Sequence, residues 1–410
     1  MRKGLESQIL VLVTLALVAF GLVMVYSATS APAAVGDSDP GYYLKRQAVA
    51  AVLGLGVLAL LTRVGFHTWR RLAPGLVLGS LGLLVAVLLL AEPVNGARRW
   101  ITFGPAVFQP SELAKLGLAI WAAAYLARSN APRTLRELAR PVGLIAMLFC
   151  GLLLLEPDLG TAIAMMVMLA GILLVSGTPV PTLALGGAIA ASLGLAAIWF
   201  EPYRRARIFA FLDPWDDAQG AGFQTVQAMI GLGSGGWFGA GLGEGVQKIF
   251  YLPEAHTDMI FAIIGEELGL VGTTALMAGY VAFAYAGLKI ALRCRDPFGK
   301  RLAVGLTVLV CGQAALNLAA VMGLAPLTGI PLPFVSYGGS SLVVALASVG
   351  VLLNIAGQDA RSIATGVPDR GRRDGRSRAA GARGRRVAAA ERRPRHVRRV
   401  AGAGGSPSRP

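Results

Sequence analysis

Apolar residues fall into ten runs along the chain, at positions 8–28, 47–62, 72–91, 110–127, 141–156, 159–176, 180–199, 258–288, 301–324 and 337–357. A helix needs about 20 apolar residues to cross a hydrocarbon core of about 30 Å, and the runs have that scale. The stretch 141–176 is divided in two because Glu156, Pro157 and Asp158 stand in its middle. A charge at mid-bilayer costs at least about 2.5–3.5 kcal/mol, so a surface turn is the cheaper arrangement. The pattern predicts an all-α integral membrane protein of about ten transmembrane helices, with a long extracytoplasmic loop, 200–257, between helices 7 and 8. Residues 1–360 form the polytopic domain, and the first run is an uncleaved helix, too long for the 7–15-residue core of a signal peptide.

Composition agrees with bilayer as solvent: of 410 residues, 55% are hydrophobic and 15% charged, against about 25% charged in soluble domains. Arginine and lysine alternate in density between the breaks. Arg63, Arg70, Arg71, Arg128, Arg133, Arg136, Arg140, Lys289, Arg293, Arg295, Lys300 and Arg301 belong to one side with Arg2 and Lys3. By the positive-inside rule that side is cytoplasmic, so both termini are cytoplasmic and the other breaks face outward. Much of the net charge of +16 lies in an Arg/Ala/Gly-rich tail, 361–410, which is expected to be disordered. The tail reads as a topology anchor that attracts anionic lipid, or as a contact for an acidic protein; no folded reading module accompanies it, so no nucleic acid partner is expected. Cys150, Cys294 and Cys311 show no disulfide or zinc spacing.

Polar groups at a membrane edge are costly, which makes four outer clusters candidates for chemistry. The first holds Asn95, Arg98, Arg99 and Trp100, followed by Gln109, Pro110, Ser111, Glu112 and Lys115. Arg98 and Arg99 suit a phosphate or a lipid headgroup. Glu112 and Lys115, three apart on one helix face, are expected to pair. The second is Glu156, Pro157, Asp158, Gly160 and Thr161, where Asp158 suits a cation, a sugar hydroxyl or a helix cap. The third, in the long loop, holds Tyr203, Arg204, Arg205 and Arg207, then Asp213, Pro214 and Trp215, then a glycine run from Gly231 to Gly239. That run formally matches GxGxxG, but no βαβ context accompanies it; the glycines predict re-entrant or tightly packed backbone. The fourth runs from Tyr251 through Pro253, Glu254, His256 and Thr257 to Asp258, leading into a helix that carries Glu266 and Glu267. Asp258 sits where loop meets apolar helix. Desolvation there raises a carboxyl pKa and improves a base, while the helix N-terminus favours the anion; base and capping residue both fit.

Seven runs in this order — 95–100, 109–115, 156–161, 211–215, 233–239, 252–258 with 265–269, and 331–341 — resemble the SEDS family of bacterial cell-wall proteins. They cover nearly everything but the tail. The resemblance implies a ten-helix plasma-membrane peptidoglycan glycosyltransferase that polymerises lipid II, an undecaprenyl-pyrophosphate-linked disaccharide, with its active site outside. It also implies a class B penicillin-binding protein transpeptidase and other divisome proteins as partners. The family's essential aspartate, in a His-Thr-Asp run, falls on Asp258. Residues 253–258 and 213–215 resemble the division branch, and Arg98 with 331–335 the elongation branch; septal synthesis is the favoured reading.

On that basis Asp258 is the expected catalytic base. Arg98, Arg99, Trp100, Glu112, Lys115, Asp158, Arg204, Arg205, Arg207, Lys248, Glu254, His256 and Ser336 are the expected substrate-facing residues. A divalent cation, Mg2+ or Mn2+, held by Asp158 or Asp258, could share the work of the arginines; no sequence feature requires one. A lipid II flippase and a scaffold for the transpeptidase are the rival classes. The first predicts transbilayer movement without new glycosidic bonds, the second division without Asp258.

Overall fold

The computed structural model describes residues 4–35, 39–93, 96–104, 106–249 and 252–364. Asn95, Tyr251 and the tail beyond Ala364 lie outside the described residues.

The elements are almost entirely helical. In chain order they are α1 (Leu5–Val35), α2 (Tyr42–Leu61), α3 (Phe66–Leu90), a small antiparallel hairpin of β1 (Ile101–Phe103) and β2 (Ala106–Phe108), α4 (Pro110–Leu126), α5 (Leu135–Leu138), α6 (Leu144–Leu155), α7 (Leu159–Ser176), α8 (Val180–Trp199), α9 (Pro202–Leu212), α10 (Phe223–Ser234), α11 (Ile260–Arg293), α12 (Pro297–Val321) and α13 (Gly339–Ala364). A π-helical turn, Ala139–Gly143, joins α5 to α6. Among the described residues, nine helical segments are long and apolar enough to cross a membrane. α4 has 17 residues, about 25 Å at 1.5 Å per residue.

Local chemistry sets the helix ends. Asp158 caps α7 by accepting from the Thr161 amide at 3.1 Å. Asp296 caps α12 by accepting from Phe298 and Gly299 at 2.9 and 2.8 Å, and Pro297 occupies the first turn, where no amide is needed. α7 stops at Gly177, whose φ of 95° suits glycine.

α4 and α12 form the interior. α12 packs on α4, α7 and α11, α3 packs on α4, and α1 on α11. α8 buries none of its residues and packs mainly on α5, α7 and α9. At one end of the bundle, the loop between α8 and α11 meets the first turn of α2, the end of α6 and the lead into α13: the Tyr43 ring lies against that of His256, Arg204 reaches the Leu154 carbonyl, and the Tyr337 amide donates to the His256 carbonyl. At the other end, Arg293 pairs with Glu6 at 2.5 Å and Arg301 donates to Ser176 at 2.8 Å. Two short helices, α9 and α10, and the hairpin lie in segments the hydropathy pattern left as loops.

Candidate active site

The glycine run and α11 build the floor of the loop-rich end together. α11 is broken at Gly269, with φ 63° and ψ −159°, a conformation that only glycine adopts readily. The loop supplies the missing hydrogen bonds. The amides of Ala240 and Gly241 donate to the Glu266 and Glu267 carbonyls at 2.9 and 3.0 Å, and the amides of Leu270 and Val271 donate to the Gly236 and Trp237 carbonyls at 2.9 and 3.1 Å. Contact is close enough that a Cβ on Gly239 would collide with the Glu267 carbonyl, and one on Gly235 with the Gly265 carbonyl. The closely packed backbone expected of these glycines is therefore present.

Both glutamates beside the break face the same loop. Glu266 accepts from the amide of Val246 at 2.7 Å and from that of Gln247 at 3.2 Å. Glu267 accepts from Lys248 at 2.6 Å and from the Ser27 hydroxyl. All five side chains other than that of Val246 are buried. This binds the segment 246–248 to α11 and α1, and it holds Lys248 inside an ion pair.

Asp258 lies just before α11, half-buried. Its Oδ1 accepts from the Thr257 hydroxyl at 3.1 Å, and its backbone carbonyl accepts from Asn317 Nδ2 at 2.7 Å. The segment 327–330 lies against it: Gly329 comes to the Oδ2 side, and Arg207 on α9 donates to the Leu327 carbonyl at 3.2 Å. Burial pushes the Asp258 carboxyl above the ordinary carboxylate range, against the Thr257 hydrogen bond, its own backbone and the charge of Arg207; Glu254 adds to the upward push.

His256, two residues before Asp258, belongs to an aromatic group. Its ring lies 4.4 Å from that of Tyr43 and 5.4 Å from that of Tyr337, and the two tyrosines are 5.1 Å apart. Burial lowers the His256 pKa, with Glu254, 4.0 Å away, opposing. Gln47 fastens the segment from behind, donating to the Ser336 carbonyl at 3.0 Å and accepting from the Gly338 amide at 3.2 Å. The Ser336 hydroxyl accepts from the Leu332 amide and is committed to that turn.

The α7 lead-in borders the same segment, since a Cβ on Gly160 would meet Thr328 and Ile330. Asp158, buried, is occupied as the helix cap. Neighbouring Glu156 is fully buried, with neither carboxylate oxygen hydrogen-bonded among the described residues. Burial and Asp158 raise its pKa to about 8, against the pull of Arg99.

The remaining expected residues divide clearly. Arg99 donates to the Glu156 carbonyl at 2.8 Å and to that of Pro157, and Arg204 to Leu154 and Ala197 at 2.6 and 3.2 Å; both close helix C-termini. Arg205 lies 5.8 Å over the Trp199 ring. Arg98 is exposed and donates to the Leu88 carbonyl at 3.1 Å; Trp100 is half-buried nearby. Glu112 and Lys115 pair at 2.8 Å deep in the bundle, as their spacing predicts, and Lys115 also donates to Gln313 at 2.7 Å. Asp258, Arg207, Glu254, His256 and the 327–337 segment are thus gathered in one place, whereas Lys115 and Lys248 are paired in the interior. Sequence reading passed over Tyr43, Gln47, Gln313, Asn317 and Tyr337; the available signal was two amide side chains, four apart, inside the apolar run 301–324.

Among the described residues no group of three or more His, Cys, Asp and Glu could hold a metal ion. The described residues therefore offer a cation no cage of three such protein ligands.

The fold and site define a multi-pass α-helical membrane protein with a partly desolvated carboxylate at the loop-rich end of its bundle. Within that class, the chain belongs to the FtsW/RodA/SpoVE family of cell cycle proteins, whose profile matches residues 7–361. It is 41% identical over 351 residues to a probable peptidoglycan glycosyltransferase FtsW of Geobacter sulfurreducens, covering 85% of this chain and 94% of that protein. It is 43% identical over 350 residues to a probable peptidoglycan glycosyltransferase FtsW of Nitrosococcus halophilus, covering 83% and 89%. Among solved structures, a chain of a peptidoglycan synthase complex that coordinates polymerization and crosslinking superposes with a TM-score of 0.72 at 33% identity, over 85% of this chain and 97% of that one. The rod shape determining protein RodA of Thermus thermophilus gives 0.63 at 31%, over 85% and 96%.

Proposed function

We propose that this chain is a peptidoglycan glycosyltransferase of the division branch, polymerising lipid II at the outer face of the plasma membrane with Asp258 as general base. The observation that carries this reading is the Asp258 carboxylate, held half-buried at the loop-rich end beside Arg207. A base for a sugar hydroxyl works best when partial desolvation lifts its pKa toward the working pH.

The topology has ten crossings, with α4 as the tenth, and both termini in the cytoplasm. Arg63, Arg70, Arg128, Arg133, Arg140, Arg293 and Arg301 lie toward the end where Arg293 meets Glu6, which supports assigning that end to the cytoplasm and the Asp258 end to the outside. Asp258 takes the proton from the acceptor GlcNAc 4-hydroxyl while that oxygen bonds to C1 of the donor MurNAc. The C1–O bond to the undecaprenyl pyrophosphate breaks at the same time, and the pyrophosphate leaves with the electron pair. Donor α-linkage and product β-linkage make this one inverting displacement. Arg207 stands nearest to stabilise the leaving group. A Mg2+ or Mn2+ ion arriving on the pyrophosphate would supply the same neutralisation. Arg98 and Arg205, placed toward the outer surface, suit the approach of anionic substrate.

The superposition on a synthase complex supports a class B penicillin-binding protein as partner. Two FtsW relatives above 40% identity, against 31% to RodA, favour the septal role.

The test is lipid II polymerisation by purified protein with its transpeptidase. Asp258→Asn keeps the shape and removes the base; turnover is expected to drop at least about 10²-fold with expression and folding unchanged. Near-normal glycan synthesis by that variant ends the proposal. Transbilayer movement of lipid II in vesicles without new glycosidic bonds would favour the flippase class instead.

A further inference from the structure

We infer that Asn317, on α12, is a positioning residue for the transfer reaction, clamping the backbone on which Asp258 and the 327–331 segment meet. This rests on the reading of Asp258 as the base. Asn317 is buried, and its Nδ2 donates both to the Asp258 carbonyl at 2.7 Å and to the Ile330 carbonyl at 2.9 Å. One amide group therefore fastens two segments that are distant in sequence. A Cβ on Gly329, the residue before Ile330, would come within 4.0 Å of the Asp258 Oδ2, so that segment borders the carboxylate. One turn earlier, Gln313 donates to the Pro331 carbonyl at 2.9 Å and accepts from Lys115, which is held in turn by Glu112. The buried ladder Glu112–Lys115–Gln313 thus anchors the residue next to Ile330 to α4. The charged groups acting on Asp258 are Arg207 from α9 and Glu254 from its own segment, whereas α12 faces it with the neutral Asn317 amide.

Simple packing does not account for this residue. The Asn317 Oδ1 is buried without a partner among the described residues, and leaving such an acceptor unmet costs about 1–3 kcal/mol. A leucine of similar size would fill the space without that cost. What asparagine alone supplies is the forked donor between two carbonyls. A displacement of about 1 Å at a reacting group can lower turnover about 10²-fold, so a fixed backbone under Asp258 has a direct kinetic consequence.

The experiment uses the full chain with its transpeptidase and measures lipid II binding stoichiometry, KM and turnover per binding-competent molecule. Asn317→Leu keeps the packing and removes the clamp. Asn317→His restores one donor. Asn354→Ala is the structural control, since Asn354 accepts from the Phe66 amide and donates to the Thr62 carbonyl at 2.9 and 2.8 Å, at the other end of the bundle. The expected result is turnover per competent molecule down about 10–100-fold in Asn317→Leu, with KM within about threefold, partial recovery in Asn317→His, and unchanged turnover per molecule in Asn354→Ala. A drop confined to the competent fraction, or wild-type turnover in Asn317→Leu, overturns the inference. Wild-type turnover in Asp258→Asn would instead overturn the functional reading; loss there with an unaffected Asn317→Leu overturns the positioning role alone.

Discussion

The Lys248 ammonium lies 2.6 Å from the Glu267 carboxylate, with 1% and 0% of the two side chains exposed. Removing one partner from such a buried pair leaves an uncompensated charge, at a cost of about 3–5 kcal/mol. Lys248→Ala is therefore expected to lower the melting temperature sharply in detergent. The double variant Lys248→Met with Glu267→Leu should recover most of the loss. An unchanged melting temperature in Lys248→Ala would show that the pair does not hold loop 246–248 to α11.

Gly269 cannot carry a side chain. A Cβ there would collide with the Gly239 amide, in a backbone conformation foreign to other residues. Gly269→Ala should reduce folded yield and cost more than about 3 kcal/mol through the combined strain and overpacking. Gly75→Ala, inside α3 with nothing within 4 Å, should be neutral or stabilising by up to about 1 kcal/mol. Thermal unfolding of the two variants side by side checks the contrast.

Asp258 acts as a base only when ionised, so activity is lost as pH falls through its pKa, which burial holds above 3.8. Arg207 opposes that rise. Arg207→Ala should therefore move the acid limb of kcat/KM to higher pH and lower its plateau. A pH profile of lipid II polymerisation reads both effects; an acid limb that stays in place would mean that Arg207 exerts no pull on Asp258.

Glu156 titrates near 8 in the fold, against an ordinary value of 4.5. Between those values the folded chain keeps a proton that the unfolded chain has released, so this residue's contribution to stability declines as pH rises, by about 1.4 kcal/mol per unit. Glu156→Gln imitates the protonated acid and does not titrate. Its melting temperature should exceed that of the wild type by a margin that widens from pH 5 to pH 8. A margin independent of pH would place the ionisation elsewhere.

Membrane-crossing helices were legible because a bilayer admits few alternatives to a long apolar run. The Glu112–Lys115 pair was legible from its three-residue spacing, and the tight backbone from the glycines. The break at Gly269 was hidden, because its immediate neighbours Leu268 and Leu270 are apolar and the bonds that compensate it come from a loop some 30 positions earlier. Arg99 and Arg204 were expected at a phosphate and instead donate to helix-end carbonyls; a guanidinium suits either acceptor, and sequence does not say which lies within reach. Asn317 was missed because one amide in an apolar run has no local signature of what it holds.

The exchange of hydrogen bonds across the gap in α11 also bears on how such proteins can be recombined. Loop and span complete each other's backbone, so neither half is a portable module. A chimera that crosses over between positions 242 and 265 would join a lip from one parent to a socket from the other; one that carries 235–271 as a single block leaves the seam intact.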